Sequence, residues 1–280
     1  MRVYTATLIA IFVSAATAQP PARRSFEAAT IKKNPDCRNG RRRPSPGRLD
    51  FACVSVREML SIAYGALQGD PVQVVGIDLL GGPSWIDSER YDLLAKAEDR
   101  PSVNEMLGPM LIGLLEDRLH LKAHIEPRET PVFALRLAKD SQSLQPTAEG
   151  SCKSINLEDL PRAGDQTRYC GFGRSRNEAG TLIGDWYGNT MAEFASRVLP
   201  IYAGRHVVDQ TGLIGRFDIH LEFRRTGPVR VNGVEVANGE EESTAPTVFT
   251  ALQRLGLKLI STKAPIDVVV IDSIERPSEN

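Results

Sequence analysis

Ser55-Val56-Arg57-Glu58-Met59 and, 135 residues further on, Thr190-Met191-Ala192-Glu193-Phe194 decide how the rest of the chain is read. Each opens on a hydroxyl residue with Glu three places later, a pairing that satisfies the first free N–H groups of a helix. Helical spacing follows both: Met59, Ile62 and Ala63 after the first, Phe194, Val198 and Leu199 after the second. Other landmarks recur in the same order. Arg90-Tyr91-Asp92-Leu93 is echoed by Arg216-Phe217-Asp218-Ile219, Leu121-Lys122 by Leu257-Lys258, and Pro131-Val132 by Pro265-Ile266, at offsets of 126, 136 and 134. Offsets this close, in one order, are what a duplicated unit with unequal loops produces. Each match is short, so coincidence is the alternative.

Working outward, Phe26–Lys32 and Leu49–Cys53 read as strands, Val72–Val75 as an apolar strand and Gly81-Gly82-Pro83 as a turn before the strand Arg90–Ala97. Ser102 and Glu105 cap a second helix carrying Met106, Met110, Leu111, Leu114 and Leu115, in which Pro109 predicts a kink or a later start. Residues 119–128 alternate strictly and predict a half-buried strand, followed by another over Pro131–Leu137. In the second half, strands are expected at Thr181–Trp186, Val207-Val208, Arg216–Phe223, Leu257–Lys263 and Pro265–Ile274, with a helix at Thr247–Leu255 and an acidic excursion over 226–245. Asn34–Gly47 and 140–180 lack apolar periodicity and read as loops. The class is α+β: two tandem βαββαββ-like modules with mixed sheets and helices packed on one face. Their expected bounds are 19–140 and 181–280, with a disulfide-pinned linker at 141–180.

Residues 1–18 carry Arg2, an apolar run from Val3 to Val13 and Ala16-Thr17-Ala18 before Gln19-Pro20. That is the pattern of a secretory signal cleaved near Ala18; an uncleaved N-terminal anchor is the rival. Export to the periplasm or beyond places Cys37, Cys53, Cys152 and Cys170 in an oxidising compartment, where an even count predicts two disulfides. Four cysteines allow three pairings, and the expectation favours the local pairs Cys37–Cys53 and Cys152–Cys170. Closing loops of this size contributes about 3 kcal/mol each in the chain-entropy account.

The chain's 280 residues are 41% hydrophobic and 25% charged with a formal net charge of −1, so bulk electrostatics favours neither nucleic acid nor an anionic membrane. After residue 18 no apolar run approaches the roughly 20 residues of a membrane-spanning helix. Chemistry-bearing patterns are sparse. The chain has no G-x-S-x-G elbow, H-E-x-x-H or phosphate-binding glycine loop. His120 and His124, four apart on a strand, stand roughly 13 Å apart, too far to share one metal. Asp87, Glu89, Asp92, Glu116 and Asp117 have Arg90 and Arg118 as nearby ion-pair partners. Arg38, Arg41, Arg42, Arg43 and Arg48 make a basic loop suited to an anionic partner or simply to solvent. Trp85 after the Gly-Gly-Pro turn, and Trp186-Tyr187 after a turn read at Gly184-Asp185, are the candidate binding residues, with packing beneath a loop as the alternative. No catalytic residue, metal or cofactor is assigned.

Phe26-Glu27-Ala28-Ala29-Thr30-Ile31-Lys32, Ala63-Tyr64-Gly65, Gly81 through Asp92 (GGPSWIDSERYD), Leu114–Arg118, Thr130–Leu135, Val208 through Asp218 (VDQTGLIGRFD), Gly256–Leu259 and the tail Ile274–Asn280 stand in fixed order. In these motifs the chain resembles the "soil-associated" family of uncharacterised exported proteins of soil bacteria. The resemblance implies no catalytic residues. Each half is also distantly similar to the βαββαββ modules at the N-termini of secretins and TonB-dependent receptors, which bind partner proteins in the periplasm. The functional expectation is a non-enzymatic binding or protein–protein interaction role in the envelope; the alternative is a secreted hydrolase with an unrecognised active site.

Overall fold

The computed structural model describes residues 24–38, 40–68, 77–138, 144–154, 165–224, 229–231, 234–236 and 244–278. The signal-like segment 1–18, the expected strand Val72–Val75 and much of the acidic excursion lie outside the described residues. The first half runs β1 (Ala28–Lys33), β2 (Arg41–Ser45), β3 (Arg48–Val54), α1 (Val56–Leu67), β4 (Asp78–Gly81), α2 (Trp85–Ser88) and β5 (Tyr91–Lys96). It continues through α3 (Val103–Glu105), a π-helical segment Met106–Met110, α4 (Leu111–Leu119) and β6 (Lys122–Leu137). The second half runs β7 (Gln145–Pro146), β8 (Phe172–Glu178), β9 (Thr181–Asn189), α5 (Met191–Glu193), a π-helical segment Phe194–Val198, α6 (Leu199–Ala203) and β10 (Val207–Asp209). It ends with β11 (Phe217–Arg224), β12 (Val229–Val231), β13 (Val234–Val236), α7 (Val248–Arg254) and β14 (Leu257–Ser273). The protein is α+β.

Two outer sheets share one plan. The first is ordered β1-β5-β3-β2 and the second β7-β11-β9-β8, all neighbours antiparallel. Between them lies a mixed central sheet, β10-β6-β14-β4, to which both halves contribute. Its spine is the antiparallel pairing of β6 with β14 from Leu257↔Leu137 to Ser273↔Lys122. The short edge strands cross over: β4 of the first half runs parallel to β14, and β10 of the second runs parallel to β6. The cores interlock in the same way. Val269 and Ile271 of β14 pack into the first core with Leu60, Ile86 and Leu115, while Leu135 of β6 packs into the second with Phe194, Phe223 and Leu252. Each long strand therefore threads from one core into the other.

Four local readings change. The loop Asn34–Gly47 contains β2, and 140–180 contains β7 and β8; these are polar edge strands with little apolar alternation to reveal them. The strand expected from residue 119 starts at Lys122, because α4 runs to Leu119 and His120 stops it in the left-handed region at φ 48°. Pro109 is taken up in the π-helical segment, where the widened turn tolerates its missing N–H. Gly184-Asp185, expected as a turn before Trp186, lies inside β9.

Candidate functional site

The paired motifs of the sequence turn out to build the same knot in each half. At Cys53 and Gly188 the backbone turns left-handed, φ 56° and 57°, just before the capped helix. Asp92 Oδ1 accepts the N–H of Cys53 at 2.9 Å, and Asp218 Oδ1 accepts that of Gly188 at 2.9 Å. The capping boxes Ser55/Glu58 and Thr190/Glu193 both close. Arg90 then donates to Glu58 at 2.9 Å and Arg216 to Glu193 at 3.2 Å. Arg-x-Asp thus ties the strand to the cap, so these carboxylates and guanidinia hold the fold. The cysteines stand in the local pairs Cys37–Cys53 and Cys152–Cys170, with sulfurs 2.06 and 1.92 Å apart. In the first half the left-handed residue is itself the half-cystine. In the second it is glycine, because a Cβ at Gly188 would stand 2.6 Å from Cys152 Sγ.

Trp85 begins α2 and is only 8% exposed. The guanidinium of Arg276, from the tail beyond β14, lies 5.2 Å over its ring and also donates to Glu89. Glu89 accepts the Tyr91 hydroxyl at 2.7 Å and faces Lys33 at 3.1 Å; Tyr91, Arg276 and Lys33 hold its carboxyl down at about 2, while burial and Glu89 push the Tyr91 phenol up. Trp186 is buried in the second core, edge-on to Phe194 and Tyr202, and its indole lies across Gly173 and Gly184. Tyr187, next along the strand, faces the opposite side, where Arg168 stacks 4.7 Å over its ring. The three aromatics do not converge on one site.

The histidines are likewise in separate places. His124 Nδ1 meets Asp272 at 2.9 Å and His220 Nδ1 meets Asp185 at 2.7 Å; each carboxylate raises its imidazole's pKa through that bond. Among the described residues no three metal-ligating side chains cluster.

A cleft of about 820 Å³ opens where the end of α1, the start of the α5 helical stretch and the middle of β14 meet. His206 on its wall places Nε2 3.0 Å from Asp78 Oδ2, joining the two short edge strands' starts across the central sheet. Asp209 is spent on the turn, accepting from the Thr211 N–H and hydroxyl at 2.9 and 2.8 Å. Ser196, the hydroxyl on this wall, donates to the Ala192 carbonyl at 2.8 Å. An oriented imidazole is present, but the hydroxyl that would serve as its nucleophile is bonded elsewhere.

The feature with chemistry left over is the edge strand β8. Among the described residues it pairs with β9 alone and ends the second outer sheet, and its residues are exposed from Gly173 to Glu178. Ala179 and Gly180, at φ 47° and 74°, form the two-residue turn of a tight hairpin. From that turn the antiparallel alternation directs the backbone groups of Asn177, Ser175 and Gly173 to the free edge. The other outer edges are blunted. β2 carries Pro44, which has no N–H to offer. β7 has two residues, and beside β1 lie Pro277 and Ser278 of the tail. Sequence reasoning missed β8; Ala-Gly between two seven- to nine-residue segments is the signal that could have found it.

Residues 57–274 match a family model described as Protein of unknown function (DUF3738). No curated protein and no solved structure matches the chain.

Proposed function

The chain belongs to that family of proteins of unknown function, and from its own geometry we propose that it is an exported, non-enzymatic binding protein of the cell envelope. It takes up an extended segment of a partner protein as a further strand on β8. Export rests on the signal-like residues 1–18 together with two cysteine pairs at bonding distance; among the described residues no helix is long and apolar enough to cross a membrane. The observation that carries the binding reading is the open edge of β8: main-chain groups there supply affinity to any strand whose side chains fit beside it. The two halves are proposed as copies of one unit, divided near 140–180, since their outer sheets and strand-to-cap knots coincide.

Ser175→Pro tests this. Its N–H faces outward, so proline removes an edge donor while leaving the β8–β9 ladder intact. Affinity capture from the protein's own envelope fraction is expected to enrich a partner with the parent chain and lose it with Ser175→Pro at an unchanged melting temperature. Capture undiminished by the proline, or turnover in pooled hydrolase substrates abolished by His206→Ala, would favour the hydrolase reading with the cleft as its site.

A further inference from the structure

The outward face of the first outer sheet carries a charge arrangement that the fold does not need. Leu49 and Phe51 of β3 and Leu93 and Ala95 of β5 point into the core, so Arg48, Asp50, Leu94 and Lys96 point out. Arg41 and Arg43 join them from β2 and Lys32 from β1. Arg41 is matched by Asp50 at 3.1 Å and Lys96 by Glu27 at 2.8 Å. Among the described residues, Arg43, Arg48 and Lys32 have no carboxylate within ion-pair distance, and all three are exposed; the ladder partners of Arg43 and Lys32, Asp50 and Asp92, are bonded instead to Arg41 and to Cys53 N–H and Asn34. Arg48 moreover stands directly across the β3–β5 ladder from Lys96. Like charges placed opposite one another weaken a sheet.

The second outer sheet provides the comparison. Counted back from the left-handed residues Cys53 and Gly188, Arg48 corresponds to Ile183, whose partner on β11 is Glu222 where Arg48 faces Lys96 on β5, and whose partner on β8 is Arg176. Its arginines are occupied: Arg176 pairs with Glu178, and Arg174 with Gln166 and the carbonyls of Asp165 and Thr167. The same architecture is charge-compensated in one half and left cationic in the other.

We infer that this face of the first outer sheet, centred on Arg43 and Arg48, is a binding surface for a linear anionic polysaccharide. Arg43 on β2 and Arg48 on β3 stand one strand and two residues apart, roughly 7–8 Å on the diagonal of the sheet, so that both can meet successive carboxylate or sulfate groups of an extended chain. Leu94, 44% exposed, is the one large apolar side chain offered on this sheet, too little to anchor the protein in a lipid surface. The surface is separate from β8, so either can fail alone; the export reading enters only in saying where such a polymer is met.

Titration of the full chain with heparin, as the probe polyanion, tests the assignment. Binding is expected at low ionic strength, weakening steeply with added salt, and Arg43→Ser/Arg48→Ser is expected to lower affinity by about tenfold or more. Arg43→Lys/Arg48→Lys, which keeps the charges, and Arg174→Ser/Arg176→Ser, on the other sheet, are expected to bind within about twofold of the parent. Absence of binding at low salt, equal affinity in the Arg43→Ser/Arg48→Ser variant, or Arg43- and Arg48-dependent binding to phosphatidylglycerol vesicles in place of heparin would each overturn it.

Discussion

Gly184→Val is expected to lower the melting temperature by roughly 10 °C, although the change only adds apolar atoms to a core strand. An ideal Cβ at Gly184 would sit 2.2 Å from Trp186 Cη2, and one at Gly173, the residue across the ladder from Trp186, 2.0 Å from its Cδ1. The indole lies flat over this pair of glycines and cannot retreat, because Phe194 and Tyr202 meet it edge-on at 5.7 and 6.2 Å. Expelling a seated tryptophan costs about 3 kcal/mol or more, on the scale of core aromatic truncations. In a domain of this size each kcal/mol shifts melting by about 2–4 °C. Gly113→Ala provides the opposite case: its Cβ would meet nothing within 4 Å on α4, so up to about 1 kcal/mol of helix propensity is gained. Thermal melts of the two variants should move in opposite directions; a Gly184→Val protein melting with the parent would mean that Trp186 is not seated between the glycines.

Asp92→Ala and Asp218→Ala are each expected to cost about 2–3 kcal/mol, the range for hydrogen bonds to a charged group whose partners are left unsatisfied. Asp92 holds the Cys53 N–H and the Asn34 amide, both at 2.9 Å; Asp218 holds the Gly188 N–H at 2.9 Å and the Thr147 hydroxyl at 2.7 Å. Losing either frees a left-handed backbone residue just before a helix cap, so strand and helix lose their register together. Asp50→Ala, which removes only an exposed pair with Arg41, should cost less than about 1 kcal/mol. Urea titrations of all three separate the cases. Loss of stability at Asp50 matching that at Asp92 would show that the bond to the left-handed residue carries no special weight.

Much of this was legible in the chain because it is local. A hydroxyl residue with Glu three places on sets a helix start, and both Arg-x-Asp landmarks turned out to be joined to those starts. The cysteines 16 and 18 residues apart lie in the local pairs that were expected. What stayed hidden is long-range or polar. Nothing in Arg41–Ser45 or Phe172–Glu178 alternates enough to announce a strand, since an edge strand facing water has no face to bury. The crossing of β4 and β10 onto the other half's long strand depends on contacts between residues as distant as Asp78 and Val268, or Phe133 and Val207. Gly184 read as a turn residue because its reason for being glycine, the indole two residues along, exists only once the strand is formed. The site fared worse than the fold. Trp85 and Trp186 are conspicuous in sequence and lie packed in the structure, whereas the open edge of β8 and the uncompensated face at Arg43 and Arg48 become visible only when neighbouring strands are in place.

Neither half completes its core without a strand from the other, and both proposed surfaces depend on that shared scaffold. Producing residues 19–140 and 141–280 as separate chains, alone and together, and following their denaturation by circular dichroism tests it most directly. Each alone is expected to unfold without a cooperative transition, and the mixture to form a one-to-one complex with a single sharp one. Two fragments that each melt cooperatively and show no association would contradict it.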